Sequence, residues 1–186
     1  MNITLLMVTS INGKITSSND ADISKWTSKE DFDHFSSMIA KANLIVMGSS
    51  TYEAAQEKMV LSAEKLRIVL TRNPKKYEAK VVPGQLEFSD EVPEQLIKRL
   101  EQESYKEMLL VGGGQINAVF FKEGLVSEMY LTLEPKLFGE GKPLLSEVNV
   151  DVNAKLESST RLNEQGTLLL HYIIHKNGKN SDENLY

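Results

Sequence analysis

Two stretches of this chain share one design. Leu44-Ile45-Val46-Met47-Gly48-Ser49-Ser50-Thr51 and Met108-Leu109-Leu110-Val111-Gly112-Gly113-Gly114-Gln115-Ile116 are apolar runs that end in glycine and pass into helix-compatible segments. A buried strand that stops at glycine and turns into a helix leaves backbone N–H groups pointing off the sheet edge, with the helix dipole behind them. Such a junction receives phosphate oxygens. Two in one small domain suit a ligand with more than one phosphate, such as a dinucleotide. Either junction alone reads equally well as a turn in which glycine serves conformation only.

A second chemical candidate lies on the helix expected over 28–41. At ~100° per residue with Phe32 at zero, Phe35, Ile39 and Ala42 fall at about −60°, −20° and −80°. Asp31 falls at about −100°, on the edge of that apolar stripe beside Met38, while Glu30 and Asp33 face away. A carboxylate there either complements the helix N-terminus, for ~0.3–1 kcal/mol, or is a partly desolvated acid that orients a polar heterocycle and relays a proton to it. His34 is expected on an exposed face. Trp26, the only tryptophan, stands just before this helix, after the long polar loop 16–25. It is a candidate substrate-loop residue or a hydrophobic staple ahead of Thr27.

The elements that must position these groups alternate along the chain. Strands are expected over 3–8, 44–47, 66–71, 80–82, 86–88 and 108–111, several as uninterrupted apolar runs that suit strands covered on both faces. Helices are expected over 28–41, 49–58, 93–103 and 115–122, the first with the capping-box pair Thr27 and Glu30, the third with Pro93 early. Beyond Gly124 the pattern becomes alternating and β-rich over 127–134, 152–162 and 167–176, with Asn163-Glu164-Gln165-Gly166 as a hairpin turn. The expectation is one α/β domain over 1–176, a mostly parallel sheet flanked by helices and finished by antiparallel strands. The polar tail 177–186 is expected to be disordered, and Glu183-Asn184-Leu185-Tyr186 resembles a protease-site remnant.

Composition narrows the function. The chain has 186 residues, a net charge of −5 and no cysteine. The acidic balance favours neither nucleic acid nor an anionic membrane, and the absence of thiols removes disulfides, thiolate metal sites and cysteine nucleophiles. No signal peptide or membrane span is legible, so the expected location is the cytoplasm. Gly112 and Gly114 lack the third glycine of a dinucleotide fingerprint, Glu134 stands too late to be its ribose-binding acid, and Gly139-Glu140-Gly141-Lys142-Pro143 lacks the spacing of a phosphate loop. His171 and His175 on a strand lie ~13 Å apart at ~3.3 Å per residue, too far to share an ion. No metal is expected.

Taken in order, Gly112-Gly113-Gly114-Gln115-Ile116, the segment 121–131 and Pro135-Lys136-Leu137-Phe138-Gly139 resemble the reductase domain of bacterial and archaeal riboflavin biosynthesis, within the dihydrofolate reductase-like superfamily. Ser10-Ile11-Asn12-Gly13-Lys14-Ile15 is similar to that family's Ser-Leu-Asp-Gly-Lys-Ile segment. Met47 to Tyr52 and Leu70-Thr71-Arg72-Asn73-Pro74 are closer to dihydrofolate reductase proper. The resemblance spans about 1–176. It implies NADPH as hydride donor and commonly a homodimer. It assigns Gly48, Ser49, Ser50, Thr51, Thr71, Arg72, Gly112, Gly113, Gly114, Gln115 and Ile116 to the cofactor. Ser10, Asn12, Gly13, Trp26 and Asp31 fall to a small-molecule substrate, with Asp31 also catalytic. Where the riboflavin enzymes usually carry Asp-Asp-Pro, this chain has Glu53-Ala54-Ala55-Gln56-Glu57-Lys58. The expected activity is reduction of a pyrimidine- or pterin-like substrate, first the ribosyl-to-ribityl step on a phosphoribosylamino-pyrimidine, second dihydrofolate reduction. A nucleotide-binding module without catalysis is the alternative of a different class.

Overall fold

The computed structural model describes residues 1–18, 22–146 and 149–175. The tail 177–186, expected to be disordered, lies outside the described residues. Eight strands form one sheet: β1 (Asn2–Ser10), β2 (Leu44–Gly48), β3 (Leu66–Leu70), β4 (Leu86–Ser89), β5 (Glu107–Leu110), β6 (Glu128–Glu134), β7 (Asn153–Arg161) and β8 (Leu168–His175). Their spatial order is β4-β3-β2-β5-β1-β6-β8-β7. The first six strands run parallel, and β8 and β7 are added antiparallel at one end. This is the mixed sheet the sequence leads one to expect.

The apolar runs end up where uninterrupted apolar runs must. Every residue of β2 and β3 is buried, because helices cover both faces. On one face Ile3, Leu5, Val46, Ile68 and Leu110 pack beneath α3 (Pro93–Gln102) and α4 (Gly114–Lys122), which contribute Leu96, Leu100 and Phe120. On the other, Leu6, Ile45, Met47, Val69 and Leu109 meet Met38 and Ile39 of α1 (Lys29–Lys41), its capping residue Ala42, and Tyr52 of α2 (Ser49–Ala55). Phe120 is fully buried; truncating such a side chain to alanine costs about 3–5 kcal/mol. Among the described residues, no helix is long and apolar enough to cross a membrane.

Four local expectations are corrected. The segment 80–82 is not a strand: Lys80 ends a 3-10 helix, Pro74–Lys80, Val81 caps it, and Val82 makes only an isolated bridge to Leu86. The helix expected over 49–58 ends at Ala55. Ser28, not Thr27, caps α1, its hydroxyl accepting the Asp31 N–H, while Glu30 takes a hydrogen bond from Asn163. The inward face of α1 is also rotated: Asp31 is 6% exposed and Phe32 64%. It runs through Asp31, His34 and Met38, so His34 is half-buried, 5.7 Å from the Tyr130 ring. The two phenylalanines suggested a stripe centre that packing on β6 does not use.

Candidate active site

Parallel strands deliver their C-terminal ends to one edge, and the strand order decides which residues meet there. Gly48 ends β2, Gly112 stands two residues beyond β5, Ser10 ends β1 and Glu134 ends β6. Neighbouring strands are ~4.8 Å apart, so this row is roughly 14 Å long.

The two glycine junctions form one end of the row and touch each other. The Gly48 N–H donates to the Gly112 carbonyl at 2.7 Å. A Cβ on Gly48 would meet Ile116 Cγ1 at 2.8 Å, and Gly112 has φ +85°, with Met7 where a side chain would go. These two glycines are required by close approach and by a left-handed backbone. Gly114 is required differently: a Cβ there would run into the Pro143 carbonyl oxygen and lie 2.9 Å from Ser146 Oγ. Gly113 is the open one. Its φ is −79°, and a Cβ would find only Thr51 Oγ1 at 3.4 Å and Ile15 Cδ1 at 4.0 Å. The space in front of Gly113 is bounded by the Thr51 hydroxyl and by the first turn of α4, whose leading N–H groups have no partners within the helix. Ser49 and Ser50 open α2 beside it. Gln115 is exposed, as is Arg72, which follows Thr71 off the end of β3 next to β2. These residues fit a pyrophosphate cradle, because the one unfilled Cβ position is the one that faces out.

Ser10, Asn12 and Gly13 lie at the middle of the row and are bound to the protein itself. Ser10 is buried, its hydroxyl donating to Asn12 Oδ1 at 2.8 Å and accepting the Lys14 N–H at 3.0 Å. The Asn12 amide grips the Phe138 backbone from both sides, at 2.7 and 3.2 Å. Gly13, at φ +74°, gives its carbonyl to the Leu144 N–H. The segment 136–146 thus straps the loop after β1 to α4: its Lys136 and Lys142 carbonyls accept the Ile11 and Ile15 N–H groups, and Ser146 N–H reaches the Gly114 carbonyl at 3.1 Å.

The other end of the row holds the acid. Asp31 is buried, and its carboxyl is pushed up to about 6. Burial is the largest cause; the Thr132 hydroxyl works the other way, and the negative charge of Glu134 adds to the rise. Trp26 Nε1 and His34 Nε2 are buried with no hydrogen-bond partner. Trp26 packs edge-on against Phe138, ring centroids 5.2 Å apart. Buried donors and acceptors without partners cost about 1–3 kcal/mol each, and such groups mark places where a polar ligand belongs. Thr132 escapes the sequence reading, and Glu134 enters it only as a rejected ribose-binding acid. Thr132 and Glu134 alternate with Leu131 and Leu133, so the strand reads as polar on its outer face; α1 covers that face and turns it inward.

The segment that replaces Asp-Asp-Pro is engaged elsewhere. Glu53 accepts the Tyr77 hydroxyl at 2.5 Å and pairs with Lys76 at 2.7 Å. His171 and His175 both lie on β8, and His171 Nε2 sits 2.8 Å from Glu128.

Comparisons with known proteins agree with this geometry. The chain is 26% identical over 144 residues to the uncharacterized protein YwjB of Bacillus subtilis (strain 168), covering 75% of this chain and 78% of YwjB. Among solved structures it is similar to a pyrimidine reductase-like protein from Corynebacterium diphtheriae, with TM-score 0.73 and 14% identity over 94% of this chain and 92% of that one. It also resembles a diaminohydroxyphosphoribosylaminopyrimidine deaminase/5-amino-6-(5-phosphoribosylamino)uracil reductase from Thermotoga maritima, with TM-score 0.69 and 17% identity. That match covers 92% of this chain but 56% of the Thermotoga chain. The model of the RibD C-terminal domain matches residues 1–168. With nearly the whole described fold inside that match, the chain belongs to the RibD C-terminal domain family.

Proposed function

We propose that the protein is an NADPH-dependent reductase of a C=N or C=O bond in a pyrimidine- or pterin-like substrate, and first of a phosphoribosylamino-pyrimidine. The observation that carries this reading is a desolvated acid and an open glycine cradle at opposite ends of one strand-end row. Such a reduction adds a hydride to carbon and a proton to nitrogen or oxygen. NADPH would supply the hydride, its pyrophosphate held at Gly112, Gly113, Gly114 and the Thr51 hydroxyl. Asp31 orients the heterocycle by accepting its ring N–H or amino group. With a proton affinity near 6, it is protonated in roughly a tenth of molecules at pH 7 and can pass that proton on. Trp26 and Thr132 complete the polar contacts, and the buried setting excludes competing water.

One observation favours dihydropterin reduction as the second reading. Asp31 and Thr132 set a carboxyl and a hydroxyl side by side, a pair suited to a flat amino-heterocycle and indifferent to a phosphosugar. Incubation with NADPH and a panel of phosphoribosylamino-pyrimidines and oxidised pterins, followed at the nicotinamide absorbance, ranks the two. Absence of turnover across the panel would point to a nucleotide-binding module.

Two expectations accompany this reading. The Arg72 guanidinium suits the 2′-phosphate that distinguishes NADPH from NADH, and a charge-assisted hydrogen bond is worth about 1.5–3 kcal/mol. Arg72→Ala should therefore raise the NADPH dissociation constant about ten- to a hundred-fold and leave that for NADH unchanged; equal loss for both cofactors sinks the assignment. The protein is also expected to be a homodimer. The run Leu168-Leu169-Leu170-His171-Tyr172-Ile173 is half-exposed in the single chain, although an uninterrupted run of this kind suits strands covered on both faces. Light scattering should give twice the chain mass, and Leu170→Glu should halve it.

A further inference from the structure

Glu134 does more than end β6. It is 3% exposed, and both of its oxygens are occupied. Oε1 accepts the Ser28 N–H at 2.7 Å and Oε2 the Thr167 hydroxyl at 2.8 Å. Each donor belongs to a different element. Ser28 caps α1, and its own hydroxyl accepts the N–H of Asp31 at 3.2 Å. Thr167 closes the turn between β7 and β8. In that turn Asn163 accepts the N–H groups of Gly166 and Thr167 and donates to Thr167 Oγ1 and to Glu30. One carboxylate therefore joins the end of a central strand, the start of the acid-bearing helix and a hairpin more than thirty residues further along the chain.

A neutral acceptor could tie these elements together. Glu134 instead brings a carboxylate that is paired with no cation among the described residues, and a buried charge is harder to desolvate than a neutral acceptor. We propose that Glu134 is a positioning residue for Asp31: it fixes the start of α1 and the β7–β8 hairpin against β6, and it holds a negative charge behind the Asp31 carboxyl. This rests on the role given to Asp31 above. The surrounding charged groups leave that arrangement intact. Glu30 is turned to Asn163, Lys29 pairs with Asp33 on the outer side of α1, and Arg161 binds the carbonyls of Asn163 and Glu164. The half-buried His34 ring, whose burial lowers its proton affinity, lies against Tyr130. Of the charged groups near this end of the helix, Glu134 is the one whose negative charge adds to the rise at Asp31.

The test uses Glu134→Gln, which keeps the shape and removes the charge, and Thr167→Val, which removes one donor and keeps the charge. First, the Asp31 carboxyl is titrated by carbon-13 NMR in the protein without substrate, with Asp31→Asn to assign the signal. Glu134→Gln should move the midpoint down; an unmoved midpoint in the folded variant overturns the charge role. Second, kcat/KM is followed against pH. In Glu134→Gln the limb due to Asp31 should move to lower pH by the same amount, with NADPH affinity unchanged. In Thr167→Val the limb should stay while the KM for substrate rises severalfold; an unchanged KM overturns the tethering role. Should Glu134→Gln fail to fold, Thr167→Val still decides the tether. A wild-type protein that turns over no substrate refutes the proposed reduction and leaves the NMR midpoints to judge Glu134 alone.

Discussion

Replacing Asp31 with asparagine is expected to stabilise the protein and disable it. An aspartate in an unfolded chain titrates near ~3.9, whereas here the carboxyl is pushed up to about 6. The folded state holds the Asp31 proton more tightly than the unfolded state. Its contribution to stability is complete below about pH 4 and is lost as the pH rises through 6. At pH 8 the ionised carboxylate therefore penalises the fold by on the order of 2–3 kcal/mol. The favourable helix-terminus effect, about 0.3–1 kcal/mol, is smaller. Asp31→Asn should melt several degrees higher at pH 8 and level with wild type at pH 4. Turnover should fall about a hundred- to ten-thousand-fold with NADPH binding intact. Asp33→Asn, on the outer side in its pair with Lys29, is the control and should match wild type. A less stable Asp31→Asn at pH 8, or one with full activity, contradicts the site.

The glycine triplet yields the second large effect, as a contrast between neighbours. Gly113→Ala adds a methyl group that meets Thr51 Oγ1 at 3.4 Å, an ordinary contact, and its backbone suits any residue. The variant should fold and melt like wild type. Its methyl would occupy the space assigned to pyrophosphate, so NADPH affinity should fall at least about ten-fold, or ~1.4 kcal/mol. Gly114→Ala directs its methyl at the Pro143 carbonyl and Ser146. Backbone cannot yield as a side chain can, and the variant should lose about 1–3 kcal/mol of stability with or without cofactor. Calorimetry and equilibrium binding on both variants separate the roles. Undiminished NADPH affinity in a folded Gly113→Ala removes the cradle.

The sheet and its helices were legible because the chain states them redundantly. The run 44–47 is apolar at every position, 66–70 at all but Arg67, and 127–134 and 167–176 are β-rich, while Pro93 and Gly166 mark a helix start and a turn. Asp31 could be found because helical spacing is local. Its setting could not. Thr132 lies a hundred residues away on a strand whose polar positions read as solvent-facing, and only the docking of α1 on that face turns them inward. The same docking misplaced Phe32, since two phenylalanines pull a helical wheel toward themselves whatever the neighbouring strand offers. Glu134 was visible but weighed for the wrong role, as a ribose ligand, because its partners Ser28 and Thr167 become neighbours only through the sheet order. Asn12 shows the reverse: a polar side chain beside a substrate loop whose amide closes on the Phe138 backbone.

The strand order also sets a schedule for the growing chain. β1 is made first, yet its partners are β5, from Glu107, and β6, up to Glu134. A ribosome adding ~5–20 residues per second needs on the order of ten seconds to supply them. During that time Ile3, Leu5, Leu6 and Val8 have no sheet to join, while β2 and β3, closer in sequence, can already pair. The newly made β1 is a sticky apolar segment awaiting its slot, and pairings of such long range are slow to form. The yield of folded protein is therefore expected to respond to translation speed as well as to the stability of the finished fold.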